Sequence, residues 1–193
     1  MARSREFNMD EAVFSAMNLF WLNGFTNTSL DTLLESMKIG KGSFYQAFDN
    51  KHDLYLKALE LYKDQTRSFF IEITSRGKGI KRISNYLDNL IDEMFNKDFL
   101  KRGCFLCNAS IENAGKDQEI TDVVHTGFEE VIGMLTGMVE EAQSMGEVNK
   151  DLKPDQIAHW LFCMSYGLLI LAKSDFKKNK IKEVAKNSLA IIS

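Results

Sequence analysis

The segment from Thr28 to Phe48 predicts two short helices joined by a tight turn. One face of the first helix, residues 28–37, must be buried because apolar residues recur at helical spacing: Leu30, Leu33, Leu34 and Met37. Lys38-Ile39-Gly40 interrupts this pattern, and we expect Gly40 to supply a backbone conformation that other residues avoid. Residues 41–48 then form a second short helix, with Phe44 and Phe48 turned inward. This arrangement predicts a helix-turn-helix, whose second helix enters the major groove of DNA.

The outward side chains of the second helix are of types that suit a DNA groove. Lysine binds base acceptors or phosphate, glycine permits close approach, and hydroxyl and amide groups reach bases or phosphate oxygens. These side chains are Lys41, Gly42, Ser43, Tyr45 and Gln46. Residues 1–53 hold five positive against seven negative side chains, so binding must depend on where the cations lie. The cations are Arg3, Arg5, Lys38, Lys41 and Lys51.

Residues 7–62 resemble the amino-terminal signature of the TetR family of bacterial transcriptional repressors. The matching residues are Phe14–Phe25, Thr28-Ser29, Ile39, Lys41–Tyr45, Phe48, Lys51 and Leu54-Tyr55. The resemblance implies that Tyr45 and Lys51 hold phosphates, while Lys41, Gly42 and Gln46 approach bases. The predicted DNA-contact set is Thr28, Ser29, Lys38, Lys41, Gly42, Ser43, Tyr45, Gln46 and Lys51.

The predicted fold is all-α, with a three-helix DNA-binding head at 1–50 and a larger helical ligand-sensing and dimerisation body at 51–193. Of 193 residues, 45% are hydrophobic, which is enough for buried cores, and a single proline favours long helices. The predicted helices are 6–23, 28–37, 41–48, 51–75, 80–96, 104–114, 117–145, 154–173 and 178–192. Because no apolar run approaches the ~18 residues of a membrane span and the amino terminus is polar, we expect a cytoplasmic protein with reduced cysteines.

The helix predicted at 154–173 is apolar around much of its circumference, which implies burial on more than one side. The residues that give the helix this pattern are His159, Trp160, Phe162, Cys163, Tyr166, Gly167, Ile170 and Leu171. One side can face the core and the other a second copy of the chain, although a central core helix of a monomer gives the same pattern. The resemblance implies a homodimer built from the last two helices. Two heads then read an inverted repeat in a double-stranded DNA operator.

The body is rich in large, adaptable apolar residues that suit a pocket for a small hydrophobic effector, although they would equally serve as ordinary core. They are Phe95, Phe99, Phe105, Phe128, Met134, Met138, Trp160, Phe162, Met164 and Tyr166. No feature of the sequence identifies the effector. The helix at 51–75, which joins head to body, is the expected transmitter of ligand binding.

Lys101-Arg102-Gly103 precedes a predicted helix that begins at Cys104 and also contains Cys107. Unpaired N–H groups at a helix start, together with nearby cations, stabilise a thiolate at Cys104, whereas Cys163 is expected in an apolar setting that disfavours one. A Gly-Cys helix start followed by Asn108 and Glu112 resembles a branch of the family in which some members sense electrophiles or oxidants through the cysteine matched by Cys104. Cys107 could act as a resolving thiol, and a purely structural role for both cysteines is the alternative.

Two further interpretations of the cysteines differ in class. Cys104 and Cys107 with His159 and Cys163 would form a tetrahedral metal site if their two helices touched. A dithiol oxidoreductase is the enzymatic alternative, but the strands of a thioredoxin-like fold and the common catalytic motifs are absent from the sequence. We therefore predict a regulator that is not an enzyme and has no cofactor.

Overall fold

The computed structural model describes residues 7–193, and these residues form helices joined by turns and loops. The helices are α1 Met9–Asn23, α2 Leu30–Met37, α3 Lys41–Ala47, α4 Lys51–Thr74, α5 Gly79–Met94, α6 Lys97–Arg102, α7 Phe105–Asn113, α8 Gln118–Ser144, α9 Pro154–Lys173 and α10 Lys178–Ile192. The all-α prediction is confirmed, and nine of these helices were predicted. The sequence pattern missed only α6. Arg3 and Arg5, two of the predicted DNA-binding cations, lie outside the described residues.

The turn between α2 and α3 differs from the sequence-based expectation. Gly40 has an ordinary φ of −81° and precedes the first turn of α3. The left-handed residue is Lys38, with φ 57°, and its N–H donates to the carbonyls of Leu34 and Glu35 to close α2. The expectation that Gly40 supplies the special conformation is therefore wrong. Gly24, by contrast, has a positive φ of 81° where it ends α1, and it donates its N–H to Phe20 O.

The chain divides into two compact units, which differ from the predicted boundary after residue 50. The first unit comprises the described residues up to Gln65 together with Cys104–Thr126, and the second comprises Thr66–Gly103 and Gly127–Ser193. Helices α4 and α8 contribute residues to both units. The head is therefore larger than the amino-terminal helices, because α7 and the start of α8 belong to the same unit.

An aromatic cluster explains why α7 belongs with the head helices. Phe105, at the start of α7, is 1% exposed. Its ring centroid lies 5.7 Å from those of both Tyr55 and Tyr62 on α4, and 6.4 Å from that of Trp21 on α1. Burial of such rings is the largest apolar contribution that single side chains make to folding, and edge-to-face contacts add to it. Helix α7 thus closes the core that α1 and α4 begin.

The second unit is built around α5, α9 and α10. Ile83, Leu87 and Ile91 recur along α5 and are almost completely buried. Polar contacts also lie in this interior, where Tyr86 Oη and Ser165 Oγ are 3.4 Å apart and Ser165 Oγ donates to Leu161 O at 2.8 Å. Among the described residues, we find no helix with both the length and the apolar character needed to cross a membrane.

The burial of Phe105 predicts a large stability cost for its removal. Phe105→Ala should lower the free energy of unfolding by about 3–5 kcal/mol, because it leaves a cavity among aromatic rings. The matched control Phe14→Ala, at a residue that is 49% exposed, should change it by less than about 0.5 kcal/mol. Denaturant unfolding at a fixed protein concentration measures both. Equal effects of the two substitutions would contradict the assigned core.

Candidate DNA-binding and sensor sites

The helix-turn-helix is held together by local capping and two buried rings. Ser29 caps α2, since its Oγ accepts a hydrogen bond of 3.1 Å from Thr32 N. Phe44 and Phe48 are buried, as their spacing predicted, and they anchor one side of α3 in the head. The opposite side of α3 therefore faces outward.

The outward side of α3 carries the predicted DNA-contact residues. Lys41, Gly42, Tyr45 and Gln46 are exposed, and Ser43 is half-buried. Lys38 is exposed in the preceding turn. A Cβ atom added to Gly42 would meet nothing within 4 Å, so the fold of this chain does not itself require glycine there. Glycine costs helix stability, and a helix surface without a side chain permits close approach of another molecule.

Thr28 departs from its predicted role. Its side chain is 1% exposed, and its hydroxyl donates to Gly24 O at 2.7 Å. It therefore holds the loop between α1 and α2 and offers no side-chain surface to DNA. The adjacent Ser29 is exposed, although its Oγ is also committed to capping α2.

Lys51 has a structural task that the sequence did not reveal. Its Nζ donates to Phe25 O at 2.7 Å and to Thr28 O at 2.8 Å, and it lies 4.2 Å from the Phe25 ring centroid. Burial lowers the pKa of Lys51, and the nearby Glu112 carboxylate opposes that shift. Contact of Lys51 with a DNA phosphate stays a prediction.

Glu112 is a functional candidate that sequence reasoning noted only as part of a motif. Its Oε2 accepts a hydrogen bond of 2.9 Å from Phe25 N, and its Oε1 accepts one of 2.7 Å from Thr26 N. Burial acts to raise the pKa of this carboxyl, but the hydrogen bonds from Thr26 and Phe25 and the charge of Lys51 outweigh it. The pKa of Glu112 therefore lies below its ordinary value.

His52, at the start of α4, lies beside two carboxylates. Its Nε2 lies 2.8 Å from Asp117 Oδ2, and its Nδ1 lies 3.8 Å from Glu119 Oε2. Nε2 has no partner of acceptable hydrogen-bond geometry, and its contact with Asp117 is an ion pair only when the imidazole is protonated. A hydrogen bond from Ile120 N and the neighbouring His52 lower the pKa of Asp117.

The candidate sensor cysteines lie at the start of α7, as predicted. Cys104 is the residue before the first turn, Cys107 lies within it, and both are half-buried. Gly103, with φ 70°, separates them from α6, whose last turn carries Lys101 and Arg102. The thiols of Cys104, Cys107 and Cys163 are not joined in disulfides. Cys163 is exposed on α9, a helix of largely apolar residues.

The alternative metal set of Cys104, Cys107, His159 and Cys163 is not among the ligand groups that the described residues form. Within residues 7–193, the His, Cys, Asp and Glu side chains close enough to share one ion are His52, Asp117 and Glu119. Cys104 and Cys107 belong to the first compact unit, whereas His159 and Cys163 belong to the second.

The effector candidates lie in buried, half-buried and exposed positions. Phe105 belongs to the aromatic core of the first unit, and Met138 is buried in the second. Phe128, Phe162 and Tyr166 form a half-buried triad on α8 and α9, with ring centroids 4.6–5.6 Å apart. Trp160 lies at the surface.

Helices α9 and α10 each expose an apolar surface. On α9, Trp160, Cys163, Gly167 and Ile170 are exposed at spacings of three and four residues, which place them on one helical face. Ile170 is 66% exposed, and α10 adds exposed Val184 and Ile191. This surface confirms that α9 carries apolar residues on more than its core side.

Comparison with known families gives the context of these sites. Residues 15–58 match the family model described as "Bacterial regulatory proteins, tetR family". Residues 79–187, more than half of the chain, match the model of the "Tetracyclin repressor-like, C-terminal domain". The chain belongs to the TetR family. Its helix-turn-helix and its helical body therefore carry the two parts that define these regulators.

Individual TetR-family proteins resemble the chain over nearly its whole length. The HTH-type transcriptional repressor ComR of Escherichia coli is 24% identical over 191 residues, which cover 98% of this chain and 90% of ComR. A cysteine mutant of CifR complexed with 26-base-pair operator DNA is 22% identical, covers 100% of both chains and has a TM-score of 0.85. The reduced form of E. coli NemR is 22% identical over 94% of this chain and 93% of NemR, with a TM-score of 0.80. These likenesses to solved structures establish the shared fold.

Proposed function

We propose that the chain is a homodimeric transcriptional repressor that binds an inverted-repeat DNA operator through α3. The observation that carries this proposal is the outward face of α3, which is formed by Lys41, Gly42, Tyr45 and Gln46. At Gly42 the helix surface carries no side chain, although the fold would accept one there. Membership of the TetR family supports it, as does the operator complex of the similar CifR. Lys41 and Gln46 approach bases, and Tyr45 holds the DNA backbone. Such a regulator acts where the chromosome lies, in the cytoplasm, and has no catalytic task.

The dimer is assigned to the apolar surface of α9 and α10. Large apolar side chains such as Ile170 and Ile191 are costly to leave in water, and a second copy of the same surface would cover them. A single α3 reads only a few base pairs, so the second head supplies both affinity and specificity. Two-fold symmetry then matches the two halves of the operator.

We propose release from DNA through modification of Cys104. The similar NemR was solved in a reduced form and CifR as a cysteine mutant, which supports thiol chemistry in proteins of this shape. An electrophilic alkene adds to the Cys104 thiolate to form a thioether, and the alkene carbon takes up a proton. A peroxide instead oxidises the thiolate to a sulfenic acid, and Cys107 displaces water to form a disulfide. A hydrophobic ligand at the Phe128, Phe162 and Tyr166 triad is the second candidate signal.

Gly42→Ala tests the assigned DNA face without disturbing the fold. The substitution should preserve the thermal midpoint or raise it, because alanine favours the helix and its Cβ meets no atom of the chain. Operator affinity should nevertheless fall about tenfold or more, the equivalent of about 1.4 kcal/mol, because the methyl group occupies space needed by DNA. Fluorescence anisotropy with labelled operator measures the affinity. Gly133→Ala is the matched control, since that helical glycine is also open, and it should bind like wild type. Unchanged affinity for Gly42→Ala would reject the docking.

Ile170→Asp tests the dimer surface. A carboxylate at the centre of a buried apolar interface should convert the protein to monomers at micromolar concentration, because an unpaired charge is costly to bury. Operator binding should fall with it. Ile71→Asp on α4, where the native residue is 59% exposed, is the control and should remain dimeric. Sedimentation velocity distinguishes the species, and a dimeric Ile170→Asp variant would place the interface elsewhere.

Cys104→Ser tests thiol release. N-ethylmaleimide should weaken operator binding of wild type and of Cys163→Ser about tenfold or more, whereas Cys104→Ser should keep its affinity. Mild peroxide should weaken wild type in the same way, and a reductant should reverse the effect, while the intramolecular disulfide should form only where Cys107 is present. Mass spectrometry confirms which thiol reacted. Full affinity after complete modification of Cys104 would leave both cysteines structural and assign sensing to a hydrophobic ligand.

A further inference from the structure

We infer that Glu112 is a positioning residue of the DNA-binding head, and that α7 passes a signal from Cys104 to the head through the contact of Glu112 with the loop between α1 and α2. The second half of this inference rests on the thiol release proposed above. The first half stands on the geometry of the loop alone. Both concern residues of the same compact unit.

The loop, residues 24–29, is held by two opposite charges. Glu112 accepts the N–H groups of Phe25 and Thr26, while Lys51 donates to the carbonyls of Phe25 and Thr28. Both polar groups of the Phe25 backbone are thus bound to charged side chains from other helices. Hydrogen bonds with one charged partner are roughly twice as strong as neutral ones. Glu112 and Lys51, which we call the clamp, therefore hold the loop more firmly than hydrogen bonds to water would.

Gly24 shows how closely the carboxylate approaches the loop. Its φ of 81° suits glycine, and a Cβ at this position would lie only 2.8 Å from Glu112 Oε2. The residue that ends α1 therefore also makes room for the Glu112 side chain. Electrostatics agree with the geometry, because the hydrogen bonds and Lys51 keep the pKa of Glu112 below its ordinary value and its carboxylate charged at neutral pH.

The clamp bears on DNA binding through the start of α2. Thr28 O is bound by Lys51, and the next residue, Ser29, caps α2. Helix α2 supports α3 in the helix-turn-helix. A displacement of the loop therefore changes where α2 begins and, with it, the position of the α3 surface.

Helix α7 connects the clamp to the cysteines. Glu112 lies eight residues after Cys104, about 12 Å along a helix that rises 1.5 Å per residue. Phe105, the residue after Cys104, packs on Tyr55 and Tyr62, so a group added at Cys104 is attached directly beside a filled aromatic core that resists local adjustment. A short helix moves as a rigid body, and the displacement reaches Glu112. This route runs through α7, whereas the sequence favoured α4.

Amide hydrogen exchange at Phe25 and Thr26 measures the clamp directly. Glu112→Ala should speed exchange of both amides about tenfold or more and weaken operator binding, because both acceptors are lost. Glu112→Gln keeps one carbonyl acceptor and the shape of the side chain, and it should give an intermediate result if the alanine variant folds poorly. Glu129→Gln, which removes an exposed charge on α8, is the matched control and should leave both measurements unchanged. Unaltered exchange in both Glu112 variants would reject the positioning role.

Alkylation of a protein whose only thiol is Cys104 tests the route. In the Cys107→Ser, Cys163→Ser background, N-ethylmaleimide should speed exchange at Phe25 and Thr26 and weaken operator binding. With Glu112→Ala or Glu112→Gln added, alkylation should cause a smaller further loss, because the two changes act on one contact. Weakened binding with unaltered exchange would reject the α7 route but retain thiol release. Unaltered binding would reject thiol release and the route together, and the Glu112 variants alone would then decide the positioning role.

Discussion

The packing of Phe105 against the rings of Tyr55 and Tyr62 is the constraint on which the head depends. It fixes α7 against α4, and only a fixed α7 can present Glu112 to the loop after α1. Partly burying the charges of Glu112 and Lys51 costs free energy, and each recovers that cost from two backbone hydrogen bonds. The same surroundings raise the pKa of Tyr55, by burial first and by the Glu112 charge second, so the ring remains neutral. Apolar packing and the charged clamp therefore form one arrangement.

Features that depend on local spacing could be predicted from the sequence. The inward Phe44 and Phe48, the stop at Gly24 and the helix start at Cys104 all follow from periodicity or helix-end chemistry. The turn between α2 and α3 was predicted less well, because Lys38 adopts the left-handed conformation that was expected of Gly40. Helix α6 was missed because six residues are too few to show a period. Its signals were the capping Asn96 and the basic Lys101 and Arg102 in its last turn.

Features that depend on tertiary contacts could not be predicted. Glu112 and Phe25 are separated by 87 residues, and no local pattern relates a glutamate to a distant pair of amides. The same limit applies to residues 104–126, which join the head rather than the body, and to the four-ligand metal set, which spans two units. Cys163 illustrates a related difficulty. A helix that is apolar on several sides does not reveal which side faces the core, so its exposure required the fold.

The small number of cations in the head explains why control of its position would matter. Each neutralised phosphate contributes a salt-dependence slope of about 0.9 in binding to duplex DNA, so a head with few lysines gains little from electrostatics alone. Among the described residues up to Lys51, the positive side chains are Lys38, Lys41 and Lys51, and Lys51 is already bonded to two carbonyls. Affinity must then come from close contact at the bare surface of Gly42 and from base readout. A small displacement of α3 would break its close contacts with DNA, whereas long-range electrostatic attraction to the phosphates would persist. A clamp that a small movement of α7 can loosen is therefore sufficient to control such a head.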